Sequence, residues 1–357
     1  MSEEVAARIR DAIRDHGPIA FDEFMEQALY APGGFYEEPP VGREGHFVTS
    51  PHVHPVFGAL LASGLRAAWE QLERPDPFPV IEVGAGDGTL ARQLLEALAD
   101  DVPVAYTAVE RSPGARALLA ELPIRVASRL EEPVENGCLL ANELLDNLPF
   151  RWVRGAAAGL VEVRIDLSGD RLVRVDTPCD DDLAALAPSL VRGEEAAVPI
   201  GALSFLDGLA SVLGRSYAIL IDYGNATGGS PGEIHGYRDH GVIEDVLDDP
   251  GSADVTAGVD FAELARRASD RGLSVRGPLS QHDALLSLGF RTWTEEERRR
   301  QAELMASGAG AEATRVWGGR SRASLLVDPA GLGRLRWLLL ATPGLAWPAW
   351  ANTDRKP

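Results

Sequence analysis

Cysteine is nearly absent: Cys138 and Cys179 are the only two in 357 residues, which leaves no disulfide framework and no recognisable zinc spacing. Basic residues are also in short supply, with 34 Lys and Arg against 54 Asp and Glu, for a formal charge of −20 and a pI near 4.8. Such a surface argues against nucleic acid as the main partner, because binding phosphates needs a basic face. It tolerates a basic protein substrate. Long apolar runs are missing as well. The best candidate, from Trp337-Leu338-Leu339-Leu340 to Trp350, is interrupted by Pro343 and Pro348 and falls short of the ~20 residues of a spanning helix. No membrane span is expected, and this stretch reads as a segment docked on the core, with membrane contact or a homodimer contact as the alternative. Met1-Ser2-Glu3-Glu4 has neither the basic nor the apolar region of a signal peptide, so a cytoplasmic protein is predicted. There is no internal repeat and no long low-complexity run.

What is present centres on Pro79-Val80-Ile81-Glu82-Val83-Gly84-Ala85-Gly86-Asp87-Gly88-Thr89-Leu90. The apolar run Val80 to Val83 fits a parallel strand covered on both faces, and Leu90, Leu94, Leu95 and Leu98 give the following helix one apolar stripe. Between them the glycines at 84, 86 and 88 allow a sharp turn and close approach of backbone to a ligand. A dinucleotide fingerprint, G-x-G-x-x-G, needs a third glycine where this chain has Thr89. The pattern is instead E-x-G-x-G-x-G, with Glu82 two residues before the first glycine, and it resembles motif I of class I S-adenosylmethionine-dependent methyltransferases. In that family the strand-end acid faces the cofactor's amino-acid portion. A nicotinamide-dependent oxidoreductase is disfavoured by the same two residues, and a glycine turn without a ligand is the plain alternative.

Downstream, strands and helices alternate, the mark of a doubly wound α/β sheet. Tyr106 to Glu110 is a second strand ending in an acid, where a carboxylate suits a ribose diol. Arg111-Ser112-Pro113 caps the next helix, and the third strand runs from Ile124 to Ser128. The fourth, Gly137 to Ala141, leads into Asn142-Glu143-Leu144-Leu145-Asp146-Asn147-Leu148-Pro149. Ligands of open α/β sheets sit beyond the carboxyl ends of strands, so Asn142, Glu143 and Asp146 should share the cofactor's crevice. Paired carboxylates can grip a guanidinium or deprotonate an amine; a helix start stabilised by acids is the structural alternative. Residues 160–175 read as an inserted hairpin, Ser216 to Gly224 as strand five, the run Thr294 to Glu303 as a solvated helix, and Arg322 to Val327 as a last strand. His46, His52 and His54 invite a metal reading, but no nearby carboxylate or cysteine completes a ligand set, and no metal is expected.

Several stretches together resemble the MidA-like methyltransferases, the family that includes the mitochondrial complex I assembly factor 7 arginine methyltransferase. Phe24-Met25 followed by Pro32 to Tyr36, then Gly45 to Pro51, Asn142 to Pro149, Ile221 to Gly224, and Asp254 to Phe261 with Gln281 beyond them, follow the family's order. His46 and His52 depart from it, standing where aspartate and glutamate are usual. The resemblance implies a Rossmann-like class I fold with a helical N-terminal extension, S-adenosyl-L-methionine as cofactor and S-adenosyl-L-homocysteine as product. It implies methylation of an arginine in a protein, with a non-catalytic assembly factor or a small-molecule methyltransferase as alternatives. The expected cofactor residues are Glu82, Gly84, Ala85, Gly86, Gly88, Glu110, Arg111, Ser128, Arg129, Asn142, Thr49 and Ser50. Asn142, Glu143 and Asp146 are the expected catalytic residues, and Phe35, Tyr36, Phe47, His52 and Tyr223 the substrate or lid residues. The expected division is a helical extension and lid over 1–75, a core over 76–149 and 215–330, an inserted hairpin and linker over 150–200, and a tail over 331–357.

Overall fold

The computed structural model describes residues 2–37, 49–227, 234–238 and 241–352. His46, Phe47 and the rest of the 45–48 stretch lie outside the described residues, as do His240 and part of the glycine-rich loop after Asn225. The central sheet has seven strands: β1 Phe78–Val83, β2 Val104–Val109, β3 Arg125–Ala127, β4 Cys138–Asn142, β5 Tyr217–Asp222, β6 Ser274–Ser280 and β7 Arg336–Ala341. Their spatial order is β6-β7-β5-β4-β1-β2-β3. The run from β3 to β5 is parallel throughout, and β7 enters antiparallel between β5 and β6. Strand order reverses between β1 and β4, the switch point at which an open sheet opens a crevice for a ligand.

Both faces of the sheet are covered, which is why its strands read as continuous apolar runs. The helices Val56–Gln71, Thr89–Leu98 and Gln281–Ser287 pack on one face, with Phe57, Leu61, Leu94 and Leu285 against Leu140, Ile219 and Trp337. On the other face, Ile200–Val212 and Phe261–Asp270 set Leu203, Leu206, Phe261 and Leu264 against Leu139, Leu220, Leu338 and Leu340. Alternate residues of β7 thus serve opposite cores, as the two-residue period of a strand requires.

Two sequence expectations are corrected here. Residues 322–327 are not a strand: helix Gly310–Ala323 continues into a 3-10 turn at Ser324–Val327, with Leu326 buried and Leu325 exposed. The strand is the apolar run expected to be a docked tail, because 337–341 can bury side chains on both sheet faces and the shorter run cannot. Residues 150–200 also form more than a hairpin and linker. Arg151–Ala156, Gly159–Ser168, Arg171–Pro178 and Glu195–Val198 make a four-stranded antiparallel sheet. The N-terminal helices Ser2–His16 and Phe21–Met25 dock on it: Phe21 packs 5.2 Å from Phe150 and 5.0 Å from Trp152, beside Ile165. A π-helical turn, Glu26–Tyr30, then carries the chain to the edge of the crevice. Among the described residues no helix is long and apolar enough to cross a membrane.

Candidate functional site

The carboxyl ends of β1, β2, β4 and β5 open on one cavity of about 850 Å3, within the ~300–1,000 Å3 usual for small-molecule sites. Its floor is the glycine turn. Gly84, Gly86 and Gly88 have φ of +75°, +55° and +77°, a left-handed run that side chains resist. Their surroundings differ. A Cβ on Gly84 or Gly88 would come within about 3 Å of Leu144 or Leu119, whereas one on Gly86 would meet nothing within 4 Å. Gly84 and Gly88 are therefore bare because protein packs against them, and Gly86 because the space beside it is kept open. Gly86 donates its N–H to Glu110 Oε2 at 2.9 Å, and Ser112 N–H donates to Oε1 at 2.8 Å, so the β2-end carboxylate is held rigidly at the cavity wall. Ser128, Arg129 and Leu130, just past β3, continue that wall.

Arg111 spans the rim. Its guanidinium lies 4.3 Å over the Tyr30 ring and pairs with Glu26, and Tyr30 stacks on Tyr36 at 5.5 Å. The π-helical turn is thereby pinned over the cavity.

The side of the cavity beyond β4 is acidic. Glu143, at the end of β4, sits at φ +51°, uncommon for a residue with a side chain. Its Oε1 accepts from Ser50 N–H at 3.0 Å and from Asn142 Nδ2 at 3.3 Å. Burial pushes its pKa up to about 7, with the nearby Asp222 adding to the rise. Asp222, at the end of β5, accepts from the backbone N–H groups of Leu145 at 2.5 Å, Tyr223 at 2.6 Å and Asp146 at 3.2 Å. Asp146 has no such donors. Burial and the Asp222 charge push its pKa well up, and the two carboxyl groups share a hydrogen bond. Asp254 accepts from Tyr36 Oη at 2.9 Å and Asn147 Nδ2 at 2.8 Å, and burial raises its pKa to about 6. Asp146 Oδ1 is buried with no hydrogen-bond partner, as is Oδ1 of Asn142, which, against expectation, does not line the cavity. A pocket with several desolvated carboxylates and orphaned acceptors is built to receive a hydrogen-bond donor, above all a cationic one.

The expected residues divide. Thr49, Tyr36, Gly84, Gly86, Glu110, Arg111, Ser128, Arg129, Glu143, Asp146 and Tyr223 line the cavity. Others do not. Glu82 lies beneath the turn, 3% exposed, accepting a hydrogen bond from the Tyr106 hydroxyl at 2.6 Å, and burial pushes its pKa up to about 8. The β1 pleat turns it into the core, away from the cavity wall. Ala85 is buried against Ala108 and Leu119, and Gly88 caps the next helix. Ser50 is buried, its hydroxyl bonded with Gln281, and Phe35 packs edge-on against Tyr36. His52 is not at the cavity either; its ring bridges Thr49 Oγ1 at 2.8 Å and Asp87 Oδ2 at 2.9 Å, tying residues 49–53 to the glycine turn. His54 faces Trp293 instead, so the two imidazoles share no face, and among the described residues no cluster of three metal-ligating side chains occurs. Asp222, Asp254, Tyr30, Arg334 and Arg336 also line or support the site, although the sequence reading did not single them out. For Asp222 and Asp254 a signal existed: both stand at strand ends in motifs of the family resemblance, and Asp222 ends its strand as Glu110 follows β2.

The residues fit an adenosyl cofactor: an open glycine bend, a rigid diol acceptor at the β2 end and a roomy wall beyond β3. The sequence profile of the family described as "Putative S-adenosyl-L-methionine-dependent methyltransferase" matches residues 60–279. The Drosophila melanogaster protein named Protein arginine methyltransferase NDUFAF7 homolog, mitochondrial, is 30% identical over 402 residues, covering 99% of this chain and 87% of its own length. Its Xenopus laevis counterpart is 28% identical over 320 residues, 78% of this chain and 72% of that one. A crystal structure from Burkholderia thailandensis with S-adenosyl-homocysteine bound superposes with a TM-score of 0.85 at 28% identity, covering 99% of this chain and 96% of that one. The chain belongs to the MidA-like family of class I S-adenosyl-L-methionine-dependent methyltransferases, and S-adenosyl-L-methionine is its cofactor.

Proposed function

We propose that the chain transfers a methyl group to a guanidinium nitrogen of an arginine in a protein substrate. One observation carries this reading: Glu143, Asp146 and Asp254 line the cavity together, with Asp222 bonded to the backbone of Leu145 and Asp146 beside them, and all four hold raised pKa values. Carboxylates whose pKa values are raised by burial form a host for a planar cation that takes several hydrogen bonds at once. The names of the relatives, protein arginine methyltransferases, support the same substrate class.

In this reading the cofactor supplies an electrophilic methyl group from its sulfonium. Glu110 would accept hydrogen bonds from the ribose hydroxyls, Ser128 and Arg129 would hold the adenine, and the peptide around Gly86 would hold the amino-acid portion. Glu143, fixed by Ser50 N–H and Asn142, orients the guanidinium and disperses its charge. Asp146, next to it, relays a proton to Asp222 as the methylated nitrogen loses one. Alignment in a site shielded from water contributes most of the acceleration such a transfer needs. The test is incubation with labelled S-adenosyl-L-methionine and arginine-centred peptides or a cell extract, followed by mass spectrometry of the labelled residue. Methylarginine is expected in the wild-type reaction. Glu143→Gln should cut kcat by ~10²-fold or more while S-adenosyl-homocysteine still binds in calorimetry. Label on any residue other than arginine would sink the substrate assignment.

A further inference from the structure

Besides Arg111 and Arg129, which pair with Glu26 and Glu131, the same cavity has two further arginines. Arg334 and Arg336 line it, on the side of β5 and Tyr223. Arg334 Cζ lies 5.6 Å from the centre of the Tyr223 ring, and Arg336 Nε is buried without a hydrogen-bond partner. Neither pairs with an acid among the described residues, in a chain whose acidic residues outnumber basic ones by 54 to 34. A buried guanidinium N–H on a residue that lines a cavity, with no acceptor of its own, is a donor kept for a ligand.

Topology puts these arginines on the substrate side. Because β7 runs antiparallel, its first residue lies at the carboxyl end of β5, with Arg336 directly opposite Asp222 in register. The glycine turn of the cofactor half, by contrast, follows β1, on the other side of β4 from β5. We propose that Arg334 and Arg336 form an anion-reading subsite that takes a substrate carboxylate, an Asp or Glu side chain close in sequence to the target arginine. This rests on the arginine reading above. The span follows from strand geometry: opposed residues of antiparallel strands have Cα atoms only ~4.5–5.5 Å apart, and an extended peptide advances ~3.3 Å per residue. The acid should therefore stand one to three residues from the methylated arginine.

The test uses the full-length chain, labelled S-adenosyl-L-methionine and peptides centred on one arginine, with each of the three flanking positions on either side set in turn to Glu, Gln or Lys. At the preferred position kcat/KM for Glu should exceed that for Gln by about tenfold, with Lys lowest. In Arg336→Gln the Glu-to-Gln ratio should fall to near one, and in Arg334→Gln, a change at an exposed position, it should fall partway. The affinity for S-adenosyl-homocysteine, read by calorimetry, should hold in both. Methylation of all arginine peptides without regard to the neighbouring charge would overturn the subsite while leaving the arginine reading standing. A loss of S-adenosyl-homocysteine affinity in step with turnover would reassign the pair to the cofactor's carboxylate. If no arginine peptide is methylated while the chain modifies other species, both readings fall together.

Discussion

At φ +51° Glu143 takes a backbone conformation that costs a side-chain-bearing residue on the order of 1–3 kcal/mol, and it does so where β4 ends and the cavity begins. Its neighbours add to the strain. Asp222 and Asp254 are buried, Asp146 is half-buried, and all three hold raised pKa values, Asp254 to about 6. A buried acid whose pKa is raised favours the folded state most when protonated. Its contribution is complete below the unfolded value, near 4, and is lost as pH rises through the folded values of about 6 to 7. The unliganded protein should accordingly lose stability from this cluster between pH 4 and pH 7. Asp146→Asn keeps the shape and the hydrogen-bond donor to Asp222 but cannot ionise. That variant should melt higher than wild type at pH 8, and by less at pH 5, while turning over poorly. A lower melting temperature at pH 8, read by calorimetric scans at both pH values, would mean that the acids do not repel one another. A cationic substrate removes the same penalty, so KM should fall as pH rises through about 7.

In the β1 turn the three glycines look alike in the sequence and differ in the fold. Each is left-handed, so an alanine costs backbone strain of ~1–2 kcal/mol at any of them. Only Gly88 among the outer two caps the helix Thr89–Leu98 with Leu119 and Leu122 against it, whereas Gly86 has open space. Gly88→Ala should therefore lower the melting temperature more than Gly86→Ala, and Gly86→Ala should weaken S-adenosyl-homocysteine binding more for each degree of stability lost. Thermal melts paired with titration calorimetry would distinguish them, and equal effects on both quantities would contradict this division. The His52 bridge between Thr49 and Asp87 belongs to the same element. It explains how a residue expected at the substrate acts instead on the turn, by fixing the segment that delivers Ser50 N–H to Glu143.

Across the whole molecule, the assembly depends on a strand that arrives last. β7 fills the place between β5 and β6, and its Trp337 is completely buried, packed near Phe57 and Trp350 with ring centroids 6.1 and 6.4 Å away. Burying an indole removes ~150–250 Å2 from water, worth about 4–6 kcal/mol at ~25 cal/mol/Å2. Trp337→Ala should cost ~3–5 kcal/mol, seen as a shift of the urea midpoint with the slope unchanged. A shift below 1 kcal/mol would show that the strand is not part of the cooperative core. The N-terminal helices show the same interdependence from the other end, since they bury Phe21 and Phe24 against a sheet built from residues 151–198.

The sequence alone determined the parts that short-range physics writes into neighbouring residues. The strand-turn-helix around Gly84 to Gly88, the strand-end acid at Glu110, the helix cap at Ser112 and the helices near the N-terminus were all legible, because periodicity and turn chemistry act within one window of chain. The order of motifs was enough to place the chain in its family. The tertiary structure decided what depends on distant residues meeting. It selected 336–341 over 322–327 as the last strand, since that choice turns on which run can be buried on both sides. It turned Glu82 into the core, extended the hairpin into a four-stranded sheet, and drew Glu143, Tyr223, Asp254 and Arg336 to one cavity from four separate stretches of chain. The shifted pKa values of those acids come from burial and from one another, and neither exists until the strands have paired.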